Sequence, residues 1–274
     1  MNSVCLLAPA KVNLFLSVGR PDSKGFHPLR TVFQAVGLYD LVRLCIGGEK
    51  HSVKFDIDGI PEQNTVSRAL EMYSLQVPIP PVSVEISKQI PSEAGLGGGS
   101  SDAAAVLRGL QRMFGSPVSE DTIHDIALRV GADVPFFLTG GAARGEGYGE
   151  RLSPLPDRHQ EWLVIARPSE GCPTGPMFQR LDSMEYDWME FPATDELYND
   201  FERVAPCASL DLIDRIQVHG ASSAGLSGSG SAVFGRFSTL DLAESGAELL
   251  RSEGVPFCVV APTLTRSESL DTWR

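Results

Sequence analysis

"PSEAGLGGGSSDAAAVL", Pro91 to Leu107, sets four glycines in five positions ahead of two serines, an aspartate and an alanine-rich run. Glycine costs chain entropy, so such a cluster marks a place where bare backbone is needed. One reading is a tight structural turn. A second is a dinucleotide fingerprint, since Gly95-x-Gly97 lies between a strand and a helix. Its sixth position, however, is Ser100 rather than glycine or alanine, and the unit sits mid-chain. A Walker A loop is excluded because no lysine follows the glycines. The third reading is a different phosphate cradle. Consecutive glycines let backbone N–H groups converge into an anion-binding nest, and the following helix adds its positive dipole end. Ser100 and Ser101 add hydroxyl donors at the same rim.

Working outward, "VSVEISKQI" (82–90) alternates as a half-buried strand, and a helix is expected from about Asp102 to Phe114. Before it, residues 4–7, 12–18, 31–36, 41–46 and 53–57 read as short strands. A capped helix begins at Asn64, and Ser119 caps another that runs to Val130. Beyond residue 161, strands at "WLVIA", "SAVFGRF" and "PFCVVAP" alternate with helical patterns at "DELYNDFERVA", "SLDLIDRIQV" and "STLDLAESGAELLRSEG". The stretch 168–192, rich in Pro, Gly and Met, reads as a loop or crossing segment. The class is mixed α and β, and the β-rich opening argues against a plain βαβ repeat.

The 274 residues suffice for one large domain or two small ones. A net charge of −12, from 23 Lys+Arg against 35 Asp+Glu, disfavours nucleic acid and anionic membrane as partners. It still permits an anionic ligand held by backbone dipoles. The five cysteines are scattered without a CxxC and read as free thiols in a reducing compartment. The five histidines lack metal-ligand spacing. No basic segment precedes an apolar run near residue 1, and no stretch is apolar enough to span a bilayer. A cytoplasmic enzyme is expected.

Two further stretches join the first. "APAKVNLFL" (8–16) and "GLSGSGSAVFG" (225–235) flank it in order. Together the three resemble the three motifs of the GHMP kinase superfamily, the group of galactokinase, homoserine kinase and mevalonate kinase. "KGFHPLRTVFQAVGLYD" (24–40), "GADVPFFLTGGAARGEGYGERLSPL" (131–155) and "LYNDFE" (197–202) resemble the branch acting on cytidine diphosphate methylerythritol in the non-mevalonate isoprenoid pathway. The resemblance runs from Leu7 to about Ala261. It implies an α+β, two-lobed fold: an N-terminal ribosomal-protein-S5-like lobe (1–149) and a C-terminal ferredoxin-like lobe (150–274). It also implies a site in the cleft between them, and a monomer or homodimer.

Phosphoryl transfer asks the protein to position phosphates, spread charge and orient the acceptor hydroxyl. On the resemblance, Pro91, Gly95, Leu96, Gly97, Gly98, Gly99, Ser100 and Ser101 bind ATP. Asp133 accepts the proton of the substrate hydroxyl, with a structural helix cap as its alternative. Lys11 is the matching cation, and an exposed strand lysine is its alternative. His27 bonds the cytosine edge and Phe26, where tyrosine is usual, stacks on its ring. Phe178 is a candidate for the opposite face or an ordinary core aromatic. Asn13 fixes the substrate or Lys11, and Gly228 and Ser229 allow close backbone approach to a ligand. Magnesium is expected with ATP, its ligands unassigned.

Overall fold

The computed structural model describes residues 2–274. Its strands are β1 (Ser3–Val18), β2 (Leu29–Ile46), β3 (Ser52–Phe55), β4 (Val82–Ser87), β5 (Ala142–Glu146), β6 (Arg151–Pro154), β7 (Trp162–Arg167), β8 (Tyr198–Asn199), β9 (Ser223–Leu226), β10 (Val233–Phe237) and β11 (Phe257–Pro262). Its helices are α1 (Thr65–Ser74), α2 (Gly98–Phe114), α3 (Glu120–Val130), α4 (Val134–Thr139), α5 (Thr174–Asp182), α6 (Cys207–Val218), α7 (Leu240–Ser252) and α8 (Arg266–Leu270), with a 3-10 turn at Asp200–Val204.

The first sheet runs β3-β4-β2-β1-β8, with β5 also on β2 and β6 on β5. The strands expected at 4–7 and 12–18 are one strand, as are those at 31–36 and 41–46. β1 and β2 pair antiparallel along their whole length, and register shifts at Pro9/Ala10 and Asn13/Phe15 absorb the irregularity read as turns. Helix α2 lies close on this sheet because its inner face is small. Ala103, Ala104 and Ala105 are buried, and a Cβ on Gly109 would sit 3.0 Å from a Leu44 methyl. Leu6, Leu44, Val84, Leu107, Leu110 and Phe136 fill the core beneath, each burial contributing about 1.5–3 kcal/mol.

The second sheet runs β11-β7-β10-β9, all antiparallel. Taken in chain order its strands lie fourth-first-third-second, with α6 and α7 packed on it: the ferredoxin-like arrangement. A third apolar cluster, including Ala10, Val12, Ile90, Leu96, Leu163, Ile165 and Phe234, joins the two sheets. Hairpin β5–β6 crosses residue 149, where the sequence reading set the break between lobes. Residues 263–274 return to the first sheet, where Leu7 N donates to Thr272 O at 2.9 Å.

Two further expectations need correction. "DELYNDFERVA" is not a helix, because Asn199 uses both ends of its amide elsewhere. Its Nδ2 donates to Leu226 O and Gly228 O, each at 2.8 Å, and its Oδ1 accepts from Phe201 N at 3.0 Å. The 168–192 segment holds α5, entered after Pro173 with Met177 and Leu181 on its buried side. The cysteines are free; Cys172 and Cys258 are buried, and burial pushes the Cys258 thiol up to about 11.

Candidate active site

The two glycine motifs, the second and third of the three in chain order, are in direct contact. Ser227 Oγ donates to Gly95 O at 3.0 Å, and Ala232 N donates to Ala94 O at 3.1 Å. Gly95 has φ +75°, and a Cβ there would fall 2.0 Å from Ser227 O, so only glycine fits. Gly97, left-handed at φ +73°, turns the chain into α2. The helix therefore starts at Gly98, four residues earlier than expected. First-turn amides have no intrahelical acceptor, so those of Gly98 and Gly99 are left as donors on the wall of the cleft. Backbone donors arranged this way can hold an anion. Ser100 lines the cleft as well, whereas Ser101 is turned inward, 1 % exposed, with its hydroxyl unpartnered.

Across the cleft, β1 presents Lys11 and Asn13 on one face. Lys11 Nζ donates to Asn13 Oδ1 at 2.7 Å, and Asn13 Nδ2 donates to Thr31 Oγ1 at 2.8 Å. Thr31 in turn donates to Phe15 O at 2.8 Å, so the lysine rests on a fully bonded chain. The turn between α3 and α4, anchored by buried Val134, Phe136 and Phe137, projects Asp133 towards this lysine. Asp133 Oδ2 lies 3.7 Å from Lys11 Nζ, with the lysine buried and the carboxylate one-third exposed. Asp133 begins α4, yet its side chain makes no capping bond, which leaves the carboxylate available. Burial pulls the Lys11 ammonium below its ordinary value, and the Asp133 charge and hydrogen bond act the other way. Lys11 is not an exposed strand lysine, and Asp133 occupies the N-cap position of α4 without a side-chain capping bond.

Lys11, Asn13, Pro91, Gly95, Leu96, Gly97, Gly98, Gly99, Ser100, Asp133, Phe178, Gly228 and Ser229 all line one cleft of about 450 Å³. Ser229 and Thr174 exchange a 3.0 Å hydroxyl contact at its edge. Phe26 and His27 are not on this wall. Phe26 is 61 % exposed in the loop after Gly19, with its ring 5.6 Å from that of Tyr148. His27 packs on Phe178 with centroids 4.7 Å apart. Its Nδ1 contacts Gly19 O at 3.0 Å, and its Nε2 lies 3.5 Å from Asp182 Oδ2. The His27–Phe178 pair thus continues outward from the Phe178 end of the cleft.

The loop is closed by Asp22, which sequence reasoning passed over. Asp22 Oδ2 accepts from Tyr148 Oη at 2.5 Å, and its Oδ1 accepts from the amides of Lys24 and Phe26. The Tyr148 hydroxyl and then the Phe26 amide hold the Asp22 carboxyl below its ordinary range. Thr65 was also missed; its hydroxyl donates to Gly99 O at 2.7 Å. Its place directly after the helix-capping Asn64 was the one available signal.

The family model described as GHMP kinases N terminal domain matches residues 64–141. A 4-diphosphocytidyl-2-C-methyl-D-erythritol kinase of Nocardioides sp. is 36% identical, covering 93% of this chain and 95% of that protein. The enzyme of the same name from Geobacter sulfurreducens is 35% identical, over 92% and 96%. Among solved structures, a 4-(cytidine 5'-diphospho)-2C-methyl-D-erythritol kinase aligns with TM-score 0.79 at 33% identity, covering 94% of this chain and 98% of that one. A homoserine kinase from Cytophaga hutchinsonii aligns with TM-score 0.74 at 17% identity, over 98% and 96%, and shares the fold.

Proposed function

The chain belongs to the 4-diphosphocytidyl-2-C-methyl-D-erythritol kinase family, and from that premise we propose how its cleft carries out the reaction. It is an ATP-dependent kinase that phosphorylates the 2-hydroxyl of 4-diphosphocytidyl-2-C-methyl-D-erythritol, giving the 2-phosphate and ADP in the non-mevalonate isoprenoid pathway.

The amides of Gly95–Gly99 bind the ATP phosphates, and the α2 dipole offsets their charge. Asp133 accepts the proton of the substrate hydroxyl as its oxygen attacks the γ-phosphorus and ADP departs. Lys11, 3.7 Å from Asp133, stabilises charge developing on the transferred group. Asn13 holds the ammonium in place. Phe26 and Phe178 flank the cytosine while His27 meets its edge, and Gly228 and Ser229 let the backbone approach the ligand.

Glu93, Ser100 and Asp133 give the cleft hard oxygen donors, the kind magnesium accepts alongside phosphate oxygens and water. A Cβ on Gly131 would lie 3.8 Å from Ser100 Oγ, so the Ser100 hydroxyl and the Asp133 turn are neighbours. Ser100 would help hold the ion, which would supply charge neutralisation between phosphates. A chain of net charge −12 with free cysteines suits a cytoplasmic enzyme handling small molecules rather than nucleic acid or membrane. Monomer and homodimer both fit a cleft built within one chain.

One observation carries this reading: an uncapped carboxylate and a buried lysine face the same cleft as the amide cradle. Incubation of the purified protein with ATP, magnesium and the cytidine substrate should raise the substrate's mass by one phosphate. Homoserine and mevalonate should stay unchanged. Phosphorylation of either in preference to the cytidine substrate would overturn the assignment.

A further inference from the structure

Beneath the cradle lies a cluster of buried ionisable groups, of which only Asp102 belongs to a glycine motif. Lys88, just past β4, sends its ammonium between the carboxylates of Asp40 on β2 and Asp102 on α2. Both aspartates are 0 % exposed, and the lysine side chain is 7 % exposed. Asp40 is fully bonded: Oδ2 takes the ammonium, and Oδ1 accepts from Gln89 N at 2.6 Å and Ile90 N at 2.8 Å. Asp102 Oδ2 accepts from Lys88 at 2.8 Å, but its Oδ1 is buried without a partner.

One ammonium can neutralise only one of two buried carboxylates. Burial pulls the Lys88 ammonium down, but Asp102 and Asp40 together outweigh that and hold it above its ordinary value. The lysine therefore stays charged.

The ammonium is also at the cradle. Lys88 lines the cleft with Gly97, Gly98 and Gly99, and a Cβ on Gly98 would lie 3.2 Å from Lys88 Nζ. With two N–H groups given to aspartates, the third is the one left for the cleft. We infer that Lys88 is the fixed cation of the phosphate cradle, held against the first turn of α2 by Asp40 and Asp102. The site thus combines backbone donors with one full positive charge that does not need to be ordered when the nucleotide binds.

This rests on the ATP reading above, and a nucleotide series separates the two. Affinities for adenosine, AMP, ADP and ATP should be measured by calorimetry on wild type, Lys88→Met and Lys88→Arg. Wild type should gain affinity with each phosphate; if it does not, the cradle reading itself fails. Lys88→Met should weaken ATP and ADP by about 10- to 100-fold, the worth of one charged hydrogen bond. Adenosine should change by less than about twofold and Lys88→Arg should recover most of the loss, since only charge at the phosphates has been removed. A role confined to holding the fold would weaken adenosine and ATP alike, and that result overturns the proposal. So does unchanged ATP affinity. Should Lys88→Met fail to fold, the triple variant Asp40→Asn/Lys88→Gln/Asp102→Asn removes the charge without stranding a buried carboxylate. The same phosphate-dependent loss is expected from it, and its absence counts equally against Lys88.

Discussion

The two ends of the cleft are built on opposite plans. At the phosphate end, backbone from three distant stretches locks together: Gly95 against Ser227, Leu96 O bonded to Lys11 N at 3.0 Å, and a charge cluster buried below. At the other end, Phe26 stands 61 % exposed on a loop held by side chains, chiefly Asp22 and Tyr148. Phosphate geometry is the same for every kinase substrate pair and rewards a rigid cradle. Base recognition needs a ring face and an edge, which a loop resting on a rigid sheet can supply. The contrast teaches that substitutions at the first end should cost structure and turnover, while those at the second should cost mainly substrate affinity.

The sharpest way to break that contrast is Gly95→Ala. Its Cβ would meet Ser227 O in a left-handed backbone, so a stability loss of about 2–4 kcal/mol is expected, with loss of ATP binding. Chemical unfolding and calorimetry check both; a neutral result would mean the motifs are not locked.

The buried cluster gives a second test through pH. The folded chain keeps Asp102 protonated up to about 7, whereas the unfolded carboxyl, ordinarily 3.8, has released its proton. The folded state then binds the extra proton, so this contribution is present below pH 4 and is lost as pH rises through 7. Asp102→Asn removes the dependence and should stabilise the protein more at pH 8 than at pH 5, relative to wild type. Equal effects by urea unfolding at both pH values would place the charge elsewhere.

At the base end, His27→Ala should raise KM for the cytidine substrate about tenfold, the loss of one buried hydrogen bond and its stacking, with KM for ATP little changed. Equal changes would refute base recognition. The smallest effect belongs to Tyr148→Phe. Removing the exposed bond to Asp22 should raise the substrate KM by less than about threefold and leave stability within about 0.5 kcal/mol. A tenfold loss would show that the loop is as rigid as the cradle.

Much of this was legible in the chain. The spacing of the glycines and serines in two motifs, with Lys11 in a third and Asp133, located the site and carried the fold class with it. The start of α2 was misplaced because glycine's poor helix propensity argued against it. A bond from the Thr65 hydroxyl to Gly99 O, and the lack of room for a Cβ on Gly98 beside Ile90 and Lys88, favour glycine in the first turn, and both come from elsewhere in the chain. Lys88 read as one residue in an alternating strand, since nothing local shows that its partners lie 48 and 14 positions away. The 3-10 turn at Asp200 was hidden for a similar reason: Asn199 is committed to carbonyls of the third motif, and Asp200 to Ser17 and Val18 of β1.

The account stands on Asp133 acting in the chemical step and not in nucleotide binding. Single-turnover phosphoryl transfer by Asp133→Asn, measured beside its ATP affinity, tests this most directly. Transfer should slow by about 10²- to 10⁴-fold while ATP still binds within about threefold of wild type. Near-normal transfer, or a loss explained wholly by weakened ATP binding, would contradict it.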